Sequence, residues 1–355
     1  MALEHLKTTD FRCLEGAELA ADPHYNLIYG ANASGKTSLL EAIAYLGRGK
    51  SFRGASTQDL IGHGRAEFVL LGQVQTEART RTVGVRNGRE GLEVRIDGEN
   101  AGGAAALAEA LPLQVVDPDV HNLIAGGPEL RRRYLDWIAF HVEHGYLESW
   151  RRFRRALRQR NAALREGASS AVLAGWDREF VDTAQRVHES RQRVAARVLP
   201  VFAETGNDLL GCPVSLDYRQ GWNADLSLPE ALAASAARDR EQGNTHAGPQ
   251  RGDLKLILGE RLAKKLVSRG QQKLLACSLV LTATELVQNE LQRPLLLLLD
   301  DPAAELDGAS LERLMARVIG LGSQVIATAL VPDKHLFPDP PALFHVEQGK
   351  LERLS

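Results

Sequence analysis

The pattern of apolar and polar positions changes its period along the chain. Near the start, the apolar segment Asn26–Tyr29 predicts a short strand, and the apolar spacing of Ser38–Leu46 predicts a helix packed on a sheet. Segment Glu67–Asp97 alternates between apolar and polar residues and contains Asn87-Gly88 and Asp97-Gly98, pairs that favour hairpin turns. These patterns predict an antiparallel sheet in addition to a parallel sheet around residues 26–46.

A helical region follows Gly126-Gly127-Pro128. From Glu129 to about Leu210 turn-forming residues are sparse, so we expect two or three long amphipathic helices with a break near residues 167–170. A strand signal at 214–218 and a helix signal at 229–242 follow, and strands and helices then alternate to the end. The order predicts a split α/β domain, residues 1–127 and 243–355, interrupted by a helical insertion at residues 128–242.

The turn between the first strand and helix has the pattern Gly-x-x-x-x-Gly-Lys-Thr. It consists of Gly30, Ala31, Asn32, Ala33, Ser34, Gly35, Lys36 and Thr37, and is followed by Ser38. In this strand–turn–helix context, backbone N–H groups and the helix N-terminus form a cradle for phosphates. We expect Lys36 to reach the β- and γ-phosphates of ATP and the Thr37 hydroxyl to bind Mg²⁺. The alternative is a glycine-rich turn that only caps a helix.

A second candidate element lies near the C-terminus. Segment Pro294–Asp301 is a run of five leucines that ends in two aspartates, which predicts a strand buried on both faces. Ligands of open α/β sheets bind at the carboxyl ends of the strands. We therefore expect Asp300 to bind Mg²⁺ and Asp301 to polarise the attacking water. A buried strand that merely ends in an acidic turn is the alternative.

The segment Ser268-Arg269-Gly270-Gln271 opens a predicted helix. Ser268 suits the N-cap position, and Gly270 allows close approach of the backbone. The exposed N–H groups of such a helix suit a phosphate, although a plain N-cap would account for Ser268 equally well.

In this order along the chain, the three motifs resemble those of the ABC-ATPase superfamily. Ser268–Gln271 resembles the signature motif, Asp300-Asp301 the Walker B pair, and Glu305-Leu306-Asp307 the D-loop. In that superfamily the signature of one subunit closes on the nucleotide bound by another. The resemblance implies an ABC-ATPase head, in which a P-loop sheet with an antiparallel β subdomain carries an inserted α-helical lobe. It also implies a homodimer that sandwiches two ATP molecules.

Among ABC proteins, the chain resembles the RecF family of bacterial recombination mediators. The gap between Lys36 and Ser268 is longer than in transporter ATPase subunits, and it lacks the sustained heptads of SMC-type coiled coils. The segments that carry the resemblance are Asp10–Arg12, Leu39–Ile43, Gly49–Arg53, Gly126–Arg132, Leu135-Asp136, Gly248–Leu254 and Ser268–Lys273. The resemblance implies slow ATP hydrolysis, ATP-held dimers on duplex DNA near gaps, and RecA loading together with RecO and RecR.

The chain departs from the family pattern at three places. Ala33-Ser34 stands where the family has a further glycine, and the segment around Gln250 and Gly252 differs from the family's Gly-Pro-His-Arg-Asp-Asp. The switch histidine of many ABC proteins is absent, and Thr328 would be a weak substitute for contacting the γ-phosphate region.

Composition indicates the kind of DNA-binding surface and the cellular compartment to expect. The formal net charge is -2, so a nucleic-acid site must come from local clustering of positive charge. The three cysteines form no Cys-x-x-Cys pair, which fits a reducing compartment and favours neither a disulfide framework nor a zinc site. No secretory segment or membrane-length apolar run is present, and we expect a cytoplasmic protein without a membrane partner.

Arginines cluster in the predicted insertion. The candidates for contacts with DNA phosphates are Arg131, Arg132, Arg151, Arg152, Arg154, Arg155 and Arg158. Arg133 and Arg160 belong to the same clusters and could also contact phosphates. Further candidates near the ATPase core are Lys50, Arg53 and Arg65. The segment from Arg151 to Arg160 contains no acidic residue, which favours DNA contacts over a solvated helix face with paired charges. The sequence contains no aromatic-rich stretch that predicts a base-stacking surface, which disfavours a protein specialised for single-stranded DNA.

Two other functions remain open at this point. One is the ATPase subunit of a transporter, which the long insertion and the missing coupling region disfavour. The other is a P-loop enzyme such as a small-molecule kinase, which would leave the signature motif without a role.

Overall fold

The computed structural model describes residues 1–259, 261–262, 268–333 and 336–354. The chain divides into two compact units, Met1–Val120 with Gln292–Ser355 and His121–Leu291. No helix within the described residues is both long enough and apolar enough to cross a membrane.

The first unit contains two six-stranded sheets. Its strands are β1 (Ala2–Thr9), β2 (Glu18–Ala20), β3 (Tyr25–Tyr29), β4 (Glu67–Gln75), β5 (Thr80–Gly88), β6 (Gly91–Ile96), β7 (Glu99–Asn100), β8 (Leu113–Val116), β12 (Leu296–Leu299), β13 (Gln324–Ala329), β14 (Ala342–Glu347) and β15 (Lys350–Arg353). Its helices are α1 (Lys36–Arg48), α2 (Thr57–Leu60), α3 (Ala104–Ala110) and α10 (Gly308–Gly320). The predicted strand and helix around the phosphate loop are confirmed as β3 and α1.

The sheet that positions the site has the order β15-β14-β3-β13-β12-β8. β3, β8, β12, β13 and β14 run parallel, and only β15 pairs antiparallel. β12 lies between β8 and β13, and its four leucines are fully buried, which confirms the predicted two-sided burial of this run. The carboxyl ends of β3, β12 and β13 therefore meet at one edge of the sheet.

The second sheet, β2-β1-β4-β5-β6-β7, is antiparallel, as the alternating segment predicted. Asp97-Gly98 forms the predicted turn between β6 and β7, with φ values of 53° and 85°. The prediction of a turn at Asn87-Gly88 is wrong. Both residues belong to β5, and the turn falls two residues later, at residues 89–90. Asn87 is buried and donates its side-chain amide to the Tyr45 hydroxyl at 2.6 Å, so tertiary packing outweighs its turn preference.

The core of the first unit joins both sheets to α1. Leu39, Leu40, Ile43 and Leu46 of α1 are fully buried in one apolar cluster with residues of both sheets. A helix that is apolar around most of its circumference must be covered on more than one side. This packing fixes the N-terminus of α1, and thereby the phosphate loop, against the parallel strands.

The second unit is mainly helical. Its helices are α4 (Asn122–Ala125), α5 (Pro128–Val142), α6 (Tyr146–Arg165), α7 (Ser170–Leu210), α8 (Leu228–Gln242) and α9 (Arg269–Leu291), and a small sheet contains β9 (Val214–Arg219), β10 (Asp253–Leu258) and β11 (Arg261–Leu262). The predicted long helices, the break at 167–170, the strand near 214 and the helix near 229 are all confirmed.

The compact second unit is larger than the predicted insertion, residues 128–242. It also contains residues 243–291, because β10 pairs with β9 and α9 packs along α7 and α5. The boundaries at 127/128 and 242/243 therefore do not coincide with those of the compact units.

Candidate nucleotide-binding site

The phosphate loop joins β3 to α1 without a side-chain cap. Gly35 precedes the helix with a φ of 116°, and no side-chain cap bonds to the start of α1 within the described part of the chain. The N–H groups of that turn are thus available to an anion, where the helix dipole also favours negative charge.

Two neighbouring turns hold the loop in place. The Gly349 amide donates to the Ser34 carbonyl at 2.8 Å, and the Cys13 thiol lies 3.5 Å from the Ser38 hydroxyl. A Cβ on Gly30 would lie 2.3 Å from the Val346 carbonyl oxygen, so only glycine fits there.

Two features inside the loop bear on nucleotide binding. Among the residues that the structure describes, the buried Ser34 hydroxyl has no hydrogen-bond partner, an arrangement that suits a polar ligand. Ala33 has a φ of 61°, a left-handed conformation that costs a residue with a Cβ about 1 kcal/mol. The family glycine that Ala33-Ser34 replaces would adopt this conformation without that strain.

Lys36 begins α1 and is 9% exposed. Its ammonium group donates to the carbonyl oxygens of Gly30 at 2.7 Å and Ala31 at 2.8 Å, so the side chain curls over the loop. Burial lowers the pKa of Lys36, and the carboxylates of Asp300 and Asp301 oppose this shift. A positive charge in this position faces the space where the loop would hold phosphates.

The structure brings the two predicted magnesium ligands together. The Thr37 hydroxyl donates to Asp300 Oδ1 at 3.2 Å, although the two residues are 263 positions apart in sequence. Asp300 is 6% exposed, and its amide donates to the Val116 carbonyl across the β8–β12 pair. A hydroxyl and a carboxylate held side by side next to a phosphate cradle are oxygen ligands of the kind that Mg²⁺ prefers. The donor set therefore fits a nucleotide with its metal.

Asp301 directly follows at the same edge and has a φ of 49°. Left-handed backbone at a non-glycine residue stores strain of a kind that concentrates at functional sites.

Asp307 of the D-loop motif caps α10, because its two carboxylate oxygens accept from the Ser310 amide at 2.8 Å and the Ser310 hydroxyl at 3.0 Å. These bonds lower the pKa of Asp307.

The signature motif lies at the N-terminus of α9 in the second unit. The Gln271 amide donates to the Ser268 hydroxyl at 3.3 Å, and the Ser268 amide donates to the Gln271 side-chain oxygen at 3.0 Å. This reciprocal pair is a capping box, which confirms Ser268 as an N-cap. Ser268, Arg269 and Gln271 are exposed, so a partner can reach this helix end.

Arg131 is buried, unlike the candidate arginines that are exposed on α6. Its guanidinium pairs with Asp253 at 2.8 Å and 3.2 Å and donates to the carbonyl oxygens of Leu123 and Gly126. A bidentate ion pair with 8% of the side chain exposed holds α5 to β10. We correct the prediction that Arg131 contacts DNA, since its donors are already used within the fold. Arg132 is half-buried and donates to the Gly252 carbonyl at 2.7 Å.

The prediction that the arginines of α6 lack acidic partners is wrong for two of them. Arg160 is buried between Asp177 of α7 and Asp239 of α8, and Arg152 pairs with Glu179 of α7 at 3.0 Å. These acidic residues belong to α7 and α8, so the sequence of α6 alone does not show them.

The other candidates on α6 are exposed. Arg154 lies over the Trp150 ring, with 5.4 Å between the guanidinium carbon and the ring centre. Arg151, Arg155 and Arg158 recur at helical spacing, and no ion pair to them is found within the described residues. Among the candidates near the phosphate loop, Lys50 and Arg53 are exposed, and Arg65 pairs with Asp10 at 3.2 Å.

The unusual segment Gly248–Leu254 has a structural role. The Gln250 side chain donates to the carbonyl oxygens of Thr245 and Ala247, and Gly252 supplies the carbonyl that accepts from Arg132. Gln250 thus stabilises the loop at residues 245–250, and Gly252 stabilises the N-terminal part of α5 through Arg132.

Sequence reasoning missed Asp117, which follows β8 at the same edge as Asp300. Burial, together with the charges of Asp119 and Asp300, raises the pKa of Asp117 to about 6. The signal in the sequence is an aspartate directly after the mostly apolar segment 111–116, which Gln114 interrupts, and it is weaker than the five-leucine run that precedes Asp300.

The comparisons with known proteins agree with this geometry. Residues 2–340 match the family model of the RecF/RecN/SMC N-terminal domain. The DNA replication and repair protein RecF of Pseudomonas entomophila (strain L48) is 41% identical over 99% of this chain and 98% of its own length. That of Pseudomonas paraeruginosa (strain DSM 24068 / PA7) is 40% identical over 100% of this chain and 98% of its own.

Solved structures show the same fold. A structure of the recombination mediator protein RecF with ATP, in the RecFOR pathway, matches with a TM-score of 0.91 and 22% identity, covering 100% of this chain and 98% of its own. An Smc head bound to the C-winged helix domain of ScpA matches with a TM-score of 0.63 and 17% identity, again covering 100% of this chain and 98% of its own. The predicted ABC-ATPase head fold is confirmed.

Proposed function

The chain belongs to the RecF family of DNA replication and repair proteins, and we propose that it uses ATP to close a homodimer on duplex DNA near gaps. The observation that carries this proposal is the meeting of Lys36 and Thr37 with Asp300 and Asp301 at one sheet edge. By resemblance to the family, the clamp would help RecO and RecR to load RecA. Such a function would be carried out in the cytoplasm.

ATP is the ligand that best suits the site. The uncapped N-terminus of α1 and the loop amides suit the phosphates, and Lys36 would move from the carbonyls of Gly30 and Ala31 to the β- and γ-phosphates. Thr37 and Asp300 would hold Mg²⁺, which supplies charge neutralisation on the phosphates when bound. Neither a transporter partner nor an acceptor substrate is needed to account for these residues.

The exposed end of α9 supports the dimer. Its capping box uses the Ser268 hydroxyl and the Gln271 amide, and Arg269 in the first turn is exposed. In the proposed dimer, Ser268, Arg269, Gly270 and Gln271 of one copy close on the nucleotide of the other. ATP would then shift a monomer–dimer equilibrium, because it gains these contacts only in the dimer.

Asp301 is the proposed base for the attacking water. Asp301→Asn removes the carboxylate and keeps the fold, since asparagine tolerates the left-handed conformation with φ of 49°. We expect steady-state ATP turnover to fall at least about a hundredfold while dimers still form. Phosphate release and sedimentation velocity measure the two properties.

The matched control is Asp97→Asn, because Asp97 is also a left-handed aspartate of the first unit, with φ of 53°. It should keep normal turnover. An Asp301→Asn protein with wild-type turnover would remove Asp301 from the catalytic role.

DNA binding is assigned to the exposed face of α6. Arg151, Arg155 and Arg158 lie one turn apart and are not tied to acidic residues within the described part of the chain. Such side chains contact phosphates without reading bases, which suits a clamp that recognises DNA by its backbone. Arg154 and Arg152 flank this face, and Arg132 lies at the base of α5.

The triple replacement of Arg151, Arg155 and Arg158 by alanine tests this assignment. We expect weaker binding to a duplex and a salt dependence of log K that is shallower by up to about three, since each phosphate contact contributes about 0.9 to the slope. Titration of a labelled duplex at several salt concentrations gives both values.

A control with the same loss of charge is available on α7. Arg186 and Arg193 are exposed and Arg197 is partly exposed, and the three are ion-paired to Asp182, Glu143 and Glu290. Their replacement by alanine should leave the salt slope unchanged. Equal effects of the two triple variants would show that net charge, and not the α6 face, controls binding.

A further inference from the structure

Thr328 lies at the carboxyl end of β13, between the phosphate-loop strand and the strand that precedes Asp300. Thr328 is in register with Ile28 of β3, and the preceding Ala327 is in register with Leu299 of β12. The Thr328 side chain is fully buried. A polar side chain in this position must find its partners within the protein.

Both partners of the Thr328 hydroxyl belong to the Walker B pair. The hydroxyl donates to Asp300 Oδ1 at 2.8 Å and accepts from the Asp301 amide at 2.9 Å. A hydroxyl has one proton to donate and lone pairs to accept, so both bonds can exist together. The same Oδ1 accepts from Thr37 at 3.2 Å, which leaves Oδ2 with no hydrogen bond among the described residues.

We propose that Thr328 is a positioning residue that orients the Asp300 carboxylate toward Mg²⁺ and holds the strained backbone of Asp301. The inference rests on the proposed ATP-dependent function and goes beyond it. It also differs from the interpretation of Thr328 as a substitute for a switch histidine, because a hydroxyl committed to Asp300 and Asp301 does not reach for the γ-phosphate.

The two hydrogen bonds have separate effects. The bond to Oδ1, shared with Thr37, restricts rotation of the carboxylate, so that Oδ2 is presented in one direction. The bond from the Asp301 amide stabilises a backbone conformation that aspartate rarely adopts, with φ of 49°. Loss of the hydroxyl therefore affects the metal-dependent step more than the metal-independent binding of nucleotide by the loop.

Thr328→Val keeps the shape and removes the hydroxyl. We expect the Mg²⁺ concentration for half-maximal ATP turnover to rise about tenfold or more and kcat to fall, since a hydrogen bond to a charged group is lost. Binding of ATP in the presence of a chelator should remain as in the wild type. Thr328→Ser restores the hydroxyl and should restore the Mg²⁺ dependence.

Thr8→Val is the matched control. Thr8 is a fully buried threonine of the same unit, and its hydroxyl also makes two hydrogen bonds, both to Ala17. This variant should lower thermal stability without changing the Mg²⁺ dependence. If Thr328→Val does not fold, Thr328→Ala removes the same hydroxyl without the valine methyl groups and is measured in its place.

Three outcomes would overturn the inference, and they differ in whether the proposed function is overturned with it. A wild-type protein that binds no ATP would overturn the proposed function and this inference with it. A wild-type protein with normal ATP turnover, together with a Thr328→Val protein of unchanged Mg²⁺ dependence, would overturn the role of Thr328 alone. An equal shift in Thr8→Val would identify the effect as one of general stability.

Discussion

Replacement of Lys36 by alanine is expected to weaken ATP binding at least about a hundredfold, because several charge-assisted hydrogen bonds to phosphate are lost together. Lys36 is the buried cation of the loop, and its ammonium group lies over the carbonyls of Gly30 and Ala31. Isothermal titration with ATP and Mg²⁺ measures the loss.

Lys7→Ala is the control for the removal of a lysine from the first unit. Lys7 is exposed on β1 and pairs with Glu18 at 2.6 Å, so its loss should change neither ATP affinity nor fold. Circular dichroism of both variants reports whether the fold is kept. A folded Lys36→Ala protein that binds ATP like the wild type would contradict the assignment of the phosphate loop.

The second large effect is expected from Ser268→Arg. Ser268 is exposed at the N-terminus of α9. In the proposed sandwich, a long cation there would fill the space of the nucleotide bound by the second copy. ATP binding to the phosphate loop of the same chain should persist, whereas the ATP-dependent dimer should be lost. Sedimentation velocity with and without Mg-ATP distinguishes monomer from dimer.

Ser268→Arg also removes a capping box, which costs about 1 kcal/mol of helix stability. Ser227→Arg removes an equivalent capping box, Ser227 with Glu230 at the start of α8, and leaves the signature intact. This control should still dimerise with ATP. A Ser268→Arg protein that forms ATP-bound dimers would refute the sandwich arrangement.

The phosphate loop and the buried strand β12 were predictable because each rests on local information. The pattern Gly-x-x-x-x-Gly-Lys-Thr between an apolar strand and a helix is typical of a phosphate site, and a leucine run that ends in aspartates is typical of a buried parallel strand. Their meeting through Thr37 and Asp300 follows from parallel strands that end at one edge.

Partners from distant parts of the chain were not predictable. Arg131 was chosen for its place in an arginine cluster, yet Asp253, which is 122 positions away, holds it in the fold. Arg152 and Arg160 similarly pair with acids of other helices. A single sequence shows the charge of a segment and does not show which helix packs on it.

Asn87 and Thr328 illustrate the same limit for polar residues. The turn preference of Asn87-Gly88 predicted a turn, but a hydrogen bond from Asn87 to Tyr45 in the core fixed the register instead. The sequence indicates for Thr328 only a weak substitute for the missing histidine, whereas its two hydrogen bonds depend on the residues that follow the neighbouring strand β12.

The most direct test of the central claim is the anisotropy of a fluorescent gapped duplex titrated with the wild-type protein. The titration is made with and without Mg-ATP at one near-physiological salt concentration, since phosphate contacts depend strongly on salt. An ATP-held clamp predicts binding that tightens about tenfold or more when Mg-ATP is present. Equal binding in the two conditions, or no binding in either, would contradict it.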